Sequence, residues 1–502
     1  MAARRDIAQT RGTKVPARYV FAGVRVLTVV ISALQYGCTS LAITSMVRSP
    51  APPSTTSNTT NYTRPSADVC AARPEHSDAS AAEEKDGQFD WSELTQSYVI
   101  NGGTYGAVCS MMVGVYVVRG RSPKLLIACS MALTSLATLL TPALAGWSVY
   151  ALVAARVLLG FVTGLIMPAQ GQIETSWFPP DERQQMYGII HAANHIDHII
   201  SASLTGVLIE NYGWEFPFYL YGGISTASLV LWLVFVYDTP QTHPHITEEE
   251  KEYITSRVNK ITDTKLPVPW VKIATSSAVW AWLSMSVSAA WLSFVFMTEL
   301  PTYLRRMLHY STSETGYVTS LAHASTALSQ IFCGFFSQWL RRRGFVSHLT
   351  SYRIFNAIAS LGPAATLTAI TQFGCDATAI VALLVATTAL SATLVAGSLL
   401  NYMDLAINHV PALLGVHGSI ASAVGVASPT LAAALINHNQ TLSAWHKVFY
   451  ITAAVSAVPY CVFLVFGSVD EQPWNTPPPR ACDKDPAPLG DVHVEETTKT
   501  AK

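Results

Sequence analysis

Charge is what this chain has least of. Only 13% of its 502 residues are Asp, Glu, Lys or Arg, about half the share of an average soluble domain. No basic block exists beyond Arg341-Arg342-Arg343, and the formal net charge is -1. A nucleic-acid partner would require a broad cationic surface, so that class is excluded. Cysteine is sparse: eight residues, Cys38, Cys70, Cys109, Cys129, Cys333, Cys375, Cys461 and Cys482, with no pair at the short spacing of a structural zinc site. A nucleophile elbow, a phosphate loop and a zinc-protease signature are all missing, so nothing points to an enzyme or to a cofactor. The polar start runs to Arg18, and the apolar run after it is too long for a signal-peptide core and lacks a small-residue cleavage site, so it reads as a first span.

What is present is apolar sequence: 50% of residues are hydrophobic. The charges crowd into the first eighteen residues, into 68–93 and 238–272, and into the tail after Asp470. Between them lie runs of about twenty residues, enough to cross a hydrocarbon core about 30 Å thick. Spans are expected near 19–46, 97–118, 124–145, 149–171, 187–209, 216–237, 278–304, 314–339, 352–372, 377–400, 412–436 and 447–467. The fold class is therefore an all-α membrane protein of about twelve transmembrane helices. They form two six-helix halves, 19–237 and 278–467, joined by a charged linker over 238–277. Thr247 followed by Glu248-Glu249-Glu250 predicts a capped surface helix in that linker.

Arg119, Arg121, Lys124, Arg183 and Arg341 to Arg343 fall in connections on the same side as the basic tail 1–18. The positive-inside rule makes that side cytoplasmic, against the dissent of Arg305 and Arg306, and places both tails there, with 468–502 expected to be disordered. The loop 47–96 then faces outside or a lumen. It carries two glycosylation sequons, at Asn58 and Asn61, and Cys70, which has Cys375 as a possible disulfide partner in the same compartment.

Blocks in chain order carry a resemblance. They are Trp91-Ser92-Glu93-Leu94-Thr95-Gln96, Arg156 to Gly160, Pro179-Pro180-Asp181-Glu182-Arg183, Tyr237-Asp238-Thr239-Pro240 and Val268-Pro269-Trp270, then Thr298-Glu299-Leu300-Pro301-Thr302-Tyr303, Asn401 with Asp404, and Gln472-Pro473-Trp474-Asn475. Together they resemble the anion:cation symporter family of the major facilitator superfamily, which includes sodium-phosphate, sialic acid and vesicular glutamate carriers. The resemblance implies the major facilitator fold and alternating access. It also implies transport of a small organic or inorganic anion coupled to protons or sodium, in the plasma membrane or an endolysosomal or vesicular membrane.

The chain departs from that family where the family carries charge. In span 1 the family tends to have an Arg before Asn-Leu-Ser, and here the stretch is Tyr36-Gly37-Cys38-Thr39-Ser40-Leu41. The acidic position of span 4 is Thr163, and positions that are His and Arg in vesicular glutamate carriers correspond to Asn101 and Ala289. The expected substrate-binding set is thus Arg156, Asn101, Thr163 and Thr39. Arg156 is expected to be the main fixed cation of the cavity, with snorkelling to the interface as the alternative. Arg25 reads as a snorkelling anchor near the basic N-terminus. His191, His195 and His198 recur at i, i+4 and i+7 on one face of span 5 and read either as coupling groups or as the lining of a wet vestibule. Asn401 and Asp404, one turn apart in span 10, are coupling candidates or a packed helix end. Glu299 reads as a gate or packing residue next to Pro301. Two other functions stay open: a carrier of neutral or zwitterionic solutes that has lost its cavity charges, and a carrier-like sensor that does not transport.

Overall fold

The computed structural model describes residues 15–48, 87–258, 266–436 and 441–475. Asn58, Asn61 and Cys70 lie outside the described residues, as do the side chains of Asp197 and His198. Every long apolar run is a helix. The first half is α1 (Ala17–Met46), α2 (Glu93–Val117), α3 (Pro123–Trp147), α4 (Val149–Trp177), α5 (Pro180–Tyr212) and α6 (Phe216–Phe235). Two short helices of the linker follow, α7 (Glu248–Arg257) and α8 (Trp270–Thr275). The second half is α9 (Ser277–Arg306), α10 (Thr312–Arg342), α11 (His348–Ile370), α12 (Ala377–Ser391), the short α13 (Asn401–Leu405), α14 (Val410–Ile436) and α15 (Leu442–Phe466).

Local chemistry sets the helix starts. Side-chain oxygens of Ser92, Ser122, Thr247, Ser276, Ser311, Ser347, Asp376 and Thr441 accept backbone N–H groups in the first turns of α2, α3, α7, α9, α10, α11, α12 and α15. Each cap satisfies donors that no intrahelical carbonyl can reach. Pro123 and Pro180 stand in the first turns of α3 and α5, where the missing N–H costs nothing.

Among the described residues, eight helices are long and apolar enough to cross a membrane by length and composition: α1, α3, α4, α6, α9, α12 with its extension to Val395, α14 with its lead-in from Ile407, and α15. The other four long helices, α2, α5, α10 and α11, place polar groups against protein. In α11 the buried Asn356 donates to Ser398 Oγ at 2.9 Å, and in α10 Ser337 donates to Gln184 Oε1 of α5 at 2.9 Å. Within each half, helices approach through small residues. A Cβ on Gly160 of α4 would lie 1.8 Å from the Gly103 carbonyl oxygen of α2, so no side chain fits there.

One span differs from its expected form. The run 377–400 is helical only to Ser391, then tightens into 3-10 turns at Ala392–Val395 and Ser398–Leu400. Asn401 and Asp404 therefore stand on α13, a separate short helix, and not in a continuous span. Asn356 Oδ1 accepts the Ser398 N–H at 2.9 Å and would sit 2.1 Å from a Cβ on Gly397, so the broken backbone is held open by a side chain from another helix.

The linker is docked. Glu250 of α7 accepts the N–H of Ala17 at 2.9 Å, placing a carboxylate on the N-terminus of α1. Arg18 pairs with Glu182 at 3.1 Å, and Arg257 with Asp181 at 3.2 Å, so α1, α5 and α7 meet at one end of the molecule, here called the linker end.

Candidate functional site: the central cavity

Between the halves lies a cavity of about 970 Å3. Its wall is drawn from α1, α2, α4 and α5 of the first half and from α9, α13 and α14 of the second. The halves touch at the linker end. A Cβ on Gly188 of α5 would be 2.9 Å from the Gln330 carbonyl of α10, and one on Gly334 of α10 equally close to the Gln184 carbonyl of α5. Gly415 and Gly418 of α14 likewise meet Val115 and Met111 of α2. At the opposite end the lining residues Ile100, Tyr105, Met297 and Val426 are exposed. The cavity thus opens away from the linker.

Its floor carries the charge. Arg25 Nε donates to Glu174 Oε1 at 2.7 Å, linking α1 to α4, with the two residues 8% and 4% exposed. Arg25 is therefore no snorkelling anchor: eight residues into α1, roughly 12 Å along the helix axis, it is turned inward to a carboxylate. Beside the pair stand Tyr187, His191, Tyr402 and His417. His191 stacks on Tyr187 with ring centroids 5.9 Å apart, and His417 lies against Trp282 at 5.6 Å. His191 and His417 come from different halves and lie within electrostatic range of each other.

Higher in the wall the neutral positions meet. Tyr36 and Thr163 hydroxyls are 2.9 Å apart. The Thr163 hydroxyl bonds back to its own helix at the Leu159 and Gly160 carbonyls, so its single proton is engaged and Tyr36 is the donor. Thr39 lines the cavity, its buried Oγ1 without a hydrogen-bond partner among the described residues. Asn101 lines it near the rim and donates back to the Ser97 carbonyl at 3.0 Å.

Arg156 is placed differently from its expected position. It is 5% exposed and absent from the cavity wall, with its guanidinium carbon 5.8 Å from the centre of the Phe218 ring of α6. Gly102 of α2 packs directly on the Arg156 Cβ, and the guanidinium lies within electrostatic range of Tyr36 and Cys38 of α1. Its Nε and one Nη have no hydrogen-bond partner among the described residues.

Of the histidines, His191 lines the cavity, whereas His195 faces His323 of α10, Nδ1 to Nδ1 at 3.3 Å. His191 and His195 thus face different surroundings. Asp404 accepts from Tyr352 Oη at 2.7 Å and lies 3.6 Å from His348 Nε2. It borders a separate hollow of about 290 Å3 at the linker end, shared with Arg183 and Arg341. Asn401 is fully buried with neither side-chain polar atom partnered among the described residues. Glu299, half-buried, borders a small hollow lined by Tyr303, Leu384 and Trp445, away from the cavity. It sits among helices of its own half, a position that matches the packing alternative of its reading.

Sequence reasoning missed Glu174 and His417. Both are ionisable groups inside long apolar helices, a pattern that marks function by default. Glu174 went unread because span 4 was expected to end at residue 171, whereas α4 continues to Trp177.

Two helical halves around a central polar cavity, open at one end and packed shut at the other, define a solute carrier of the alternating-access kind. The chain belongs to the major facilitator superfamily, whose family model matches residues 26–407, and within it to the anion:cation symporter family. It is similar to sialin of Homo sapiens, 32% identical over 77% of this chain and 78% of that protein. It is also similar to the sodium-dependent phosphate transport protein 3 of Mus musculus, 27% identical over 77% of this chain and 81% of that one. Among solved structures, a proton:xylose symporter of the superfamily matches at a TM-score of 0.64 with 12% identity, over 90% of this chain and 97% of that one, a likeness of fold. The protein is a multi-pass membrane transporter and not an enzyme.

Proposed function

We propose that the protein carries a small organic or inorganic anion through the central cavity by alternating access, driven by a proton or sodium gradient. The observation that carries this reading is Arg25, a guanidinium on the wall of a 970 Å3 space that both halves share. Arg156 is not among the residues lining that wall, although its charge acts on Tyr36 there, so we assign direct contact with an anion to Arg25. The linker end, where Arg119, Arg183 and Arg341 to Arg343 gather, is the cytoplasmic end in this reading, and the cavity faces outside or a lumen.

A second reading has its own observation. Arg25 is matched by Glu174, and the Tyr36 and Thr163 pair is neutral, so the wall offers both signs of charge and suits a zwitterion as well as an anion. Uptake into proteoliposomes under imposed proton or sodium gradients, with phosphate, sialic acid, an amino acid and an uncharged sugar as cargo, separates them. Gradient-driven uptake of the anions alone supports the first reading, and amino acid uptake alone supports the second. A purified, folded protein that moves none of them would leave the non-transporting alternative.

A further inference from the structure

We infer that Arg25 and Glu174 form an exchangeable ion pair in which a cargo anion and a proton displace one another's partner. In this arrangement the cargo anion binds Arg25 only together with protonation of Glu174. The inference rests on the transport reading above and assigns its site.

Arg25 spends one N–H on Glu174. Among the described residues that is the side chain's hydrogen bond, made by Nε, so the four N–H donors of the two Nη groups remain for a ligand. Those donors form a planar fork that fits a carboxylate or phosphate by two parallel bonds. What opposes a ligand is Glu174, whose negative charge lies 2.7 Å from the same guanidinium. Two anions against one buried cation in a site of low dielectric repel each other strongly. A proton on Glu174 removes that repulsion and leaves Arg25 to the cargo.

The step balances in charge. One proton from the solution at the open end adds to a Glu174 carboxylate oxygen, giving the neutral acid. The Arg25–Glu174 ion pair is replaced by an Arg25–anion pair, and Arg25 stays protonated throughout. Loaded and empty floors then carry the same net charge, which lets both forms pass through the occluded state without an uncompensated buried charge. Release of the anion at the linker end returns the proton to that solution and re-forms the pair, one proton moving with each negative charge.

The groups facing Glu174 are compatible with this exchange. Arg25 of α1 is its ion-pair partner, Tyr187 and His191 of α5 and Tyr402 of α13 stand beside it, and His417 of α14 adjoins His191. No lysine and no second carboxylate is among the described residues of the floor. Glu174 is thus the carboxylate there that a proton can neutralise.

The test uses full-length protein in proteoliposomes, with radiolabelled sialic acid and inorganic phosphate as probes. Two quantities are read for each variant: counterflow exchange at symmetric pH, and accumulation driven by an inside-alkaline gradient. Wild type is expected to accumulate probe above equilibrium. In Glu174→Gln, the ratio of gradient-driven accumulation to counterflow should fall roughly ten-fold or more, because a fixed neutral side chain no longer exchanges a proton with the anion. In Arg25→Lys, which keeps the charge and removes the fork, the half-saturation concentration for sialic acid should rise about ten-fold, and less for phosphate. Thermal melts of each variant check folding, and a pair that merely staples α1 to α4 would change the melts without changing the accumulation ratio. A Glu174→Gln protein that accumulates like wild type, or an Arg25→Lys protein with unchanged half-saturation, overturns the inference while wild-type counterflow upholds transport. Wild-type protein that exchanges neither probe overturns the anion-transport reading and this inference with it.

Discussion

An arginine inside a membrane helix must find work for five donors or cost the fold several kcal/mol. Arg25 and Arg156 answer this differently. Arg25 meets Glu174 at 2.7 Å, whereas Arg156 meets a Phe218 ring and leaves Nε and one Nη unpartnered among the described residues. A buried cation of the second kind detracts from stability in this conformation. Arg156→Met, which keeps the stem against α6, is therefore expected to leave thermal stability unchanged or raise it by about 1–3 kcal/mol. Thermal unfolding of purified protein checks this, and a loss of that size would mean that the guanidinium is held by a partner. The residue pattern alone pointed to Arg156, whereas Arg25 is the arginine that lines the cavity. Membrane cost marks which ionisable residues in a span need a partner or a wet face, but the wall a side chain faces depends on how the helices pack, as where Gly102 of α2 sits directly on the Arg156 Cβ. The neutral Tyr36 and Thr163 were legible as departures from the family. Their hydrogen bond, and the charge pair eleven residues away along each of the same two helices, required both helices to be seen together.

At the scale of helices, the twelve long segments were legible because each is a run of apolar residues bounded by a cap, a proline or a charge. The break after Ser391 was not, since Ala392 to Leu400 contains neither proline nor charge. Its cause is Asn356, from α11, which accepts the Ser398 N–H and donates to Ser398 Oγ. Asn356→Ala should leave that buried N–H unsatisfied and lower stability by about 1–3 kcal/mol. A thermal melt equal to wild type would show that the break is held by something else. The crossing of α5 and α10 has a functional consequence. Gly188 and Gly334 let the two backbones approach at the linker end, where Arg341 also donates to Gln184 at 2.5 Å and Ser337 at 2.9 Å. Adding a methyl at Gly188 forces backbones apart in this closed contact, but not after the halves have separated there. A strain of about 1–3 kcal/mol shifts the two-state equilibrium by roughly five- to one-hundred-and-fifty-fold toward opening at the linker end. Distances measured between spin labels on α5 and α10 should lengthen in Gly188→Ala. An unchanged distribution would mean that the contact does not gate the cavity.

The molecule as a whole has two ends, and one covalent bond reports which compartment each faces. Cys375, in the connection between α11 and α12, is disulfide-bonded, while Cys38, Cys109, Cys129, Cys333 and Cys461 are not in disulfides. The remaining cysteines of the chain are Cys70 and Cys482, both outside the described residues. Parity of spans decides between them. One helix separates the N-terminus from the loop that contains Cys70, and nine long helices separate it from Cys375, so those two share a side; all twelve precede Cys482, which shares the side of the N-terminus. Disulfides persist in oxidising compartments, outside the cell or in a lumen, and not in the cytosol. Cys70 is therefore the expected partner, and the end that bears it is the one to which the cavity opens. The bond would join the two halves, yet leave the cavity free to open: at about 3.3–3.6 Å per extended residue, the chain on either side of Cys70 is long enough to follow α12. Peptide mapping without reduction should recover Cys70 linked to Cys375. In Cys375→Ser protein, a membrane-impermeant maleimide added from the side opposite the linker should label Cys70, as it does not in wild type, and the same side should carry glycan at Asn58 or Asn61. A Cys375–Cys482 peptide, or labelling of Cys70 only from the linker side, would reverse the orientation and with it the direction in which this cavity faces.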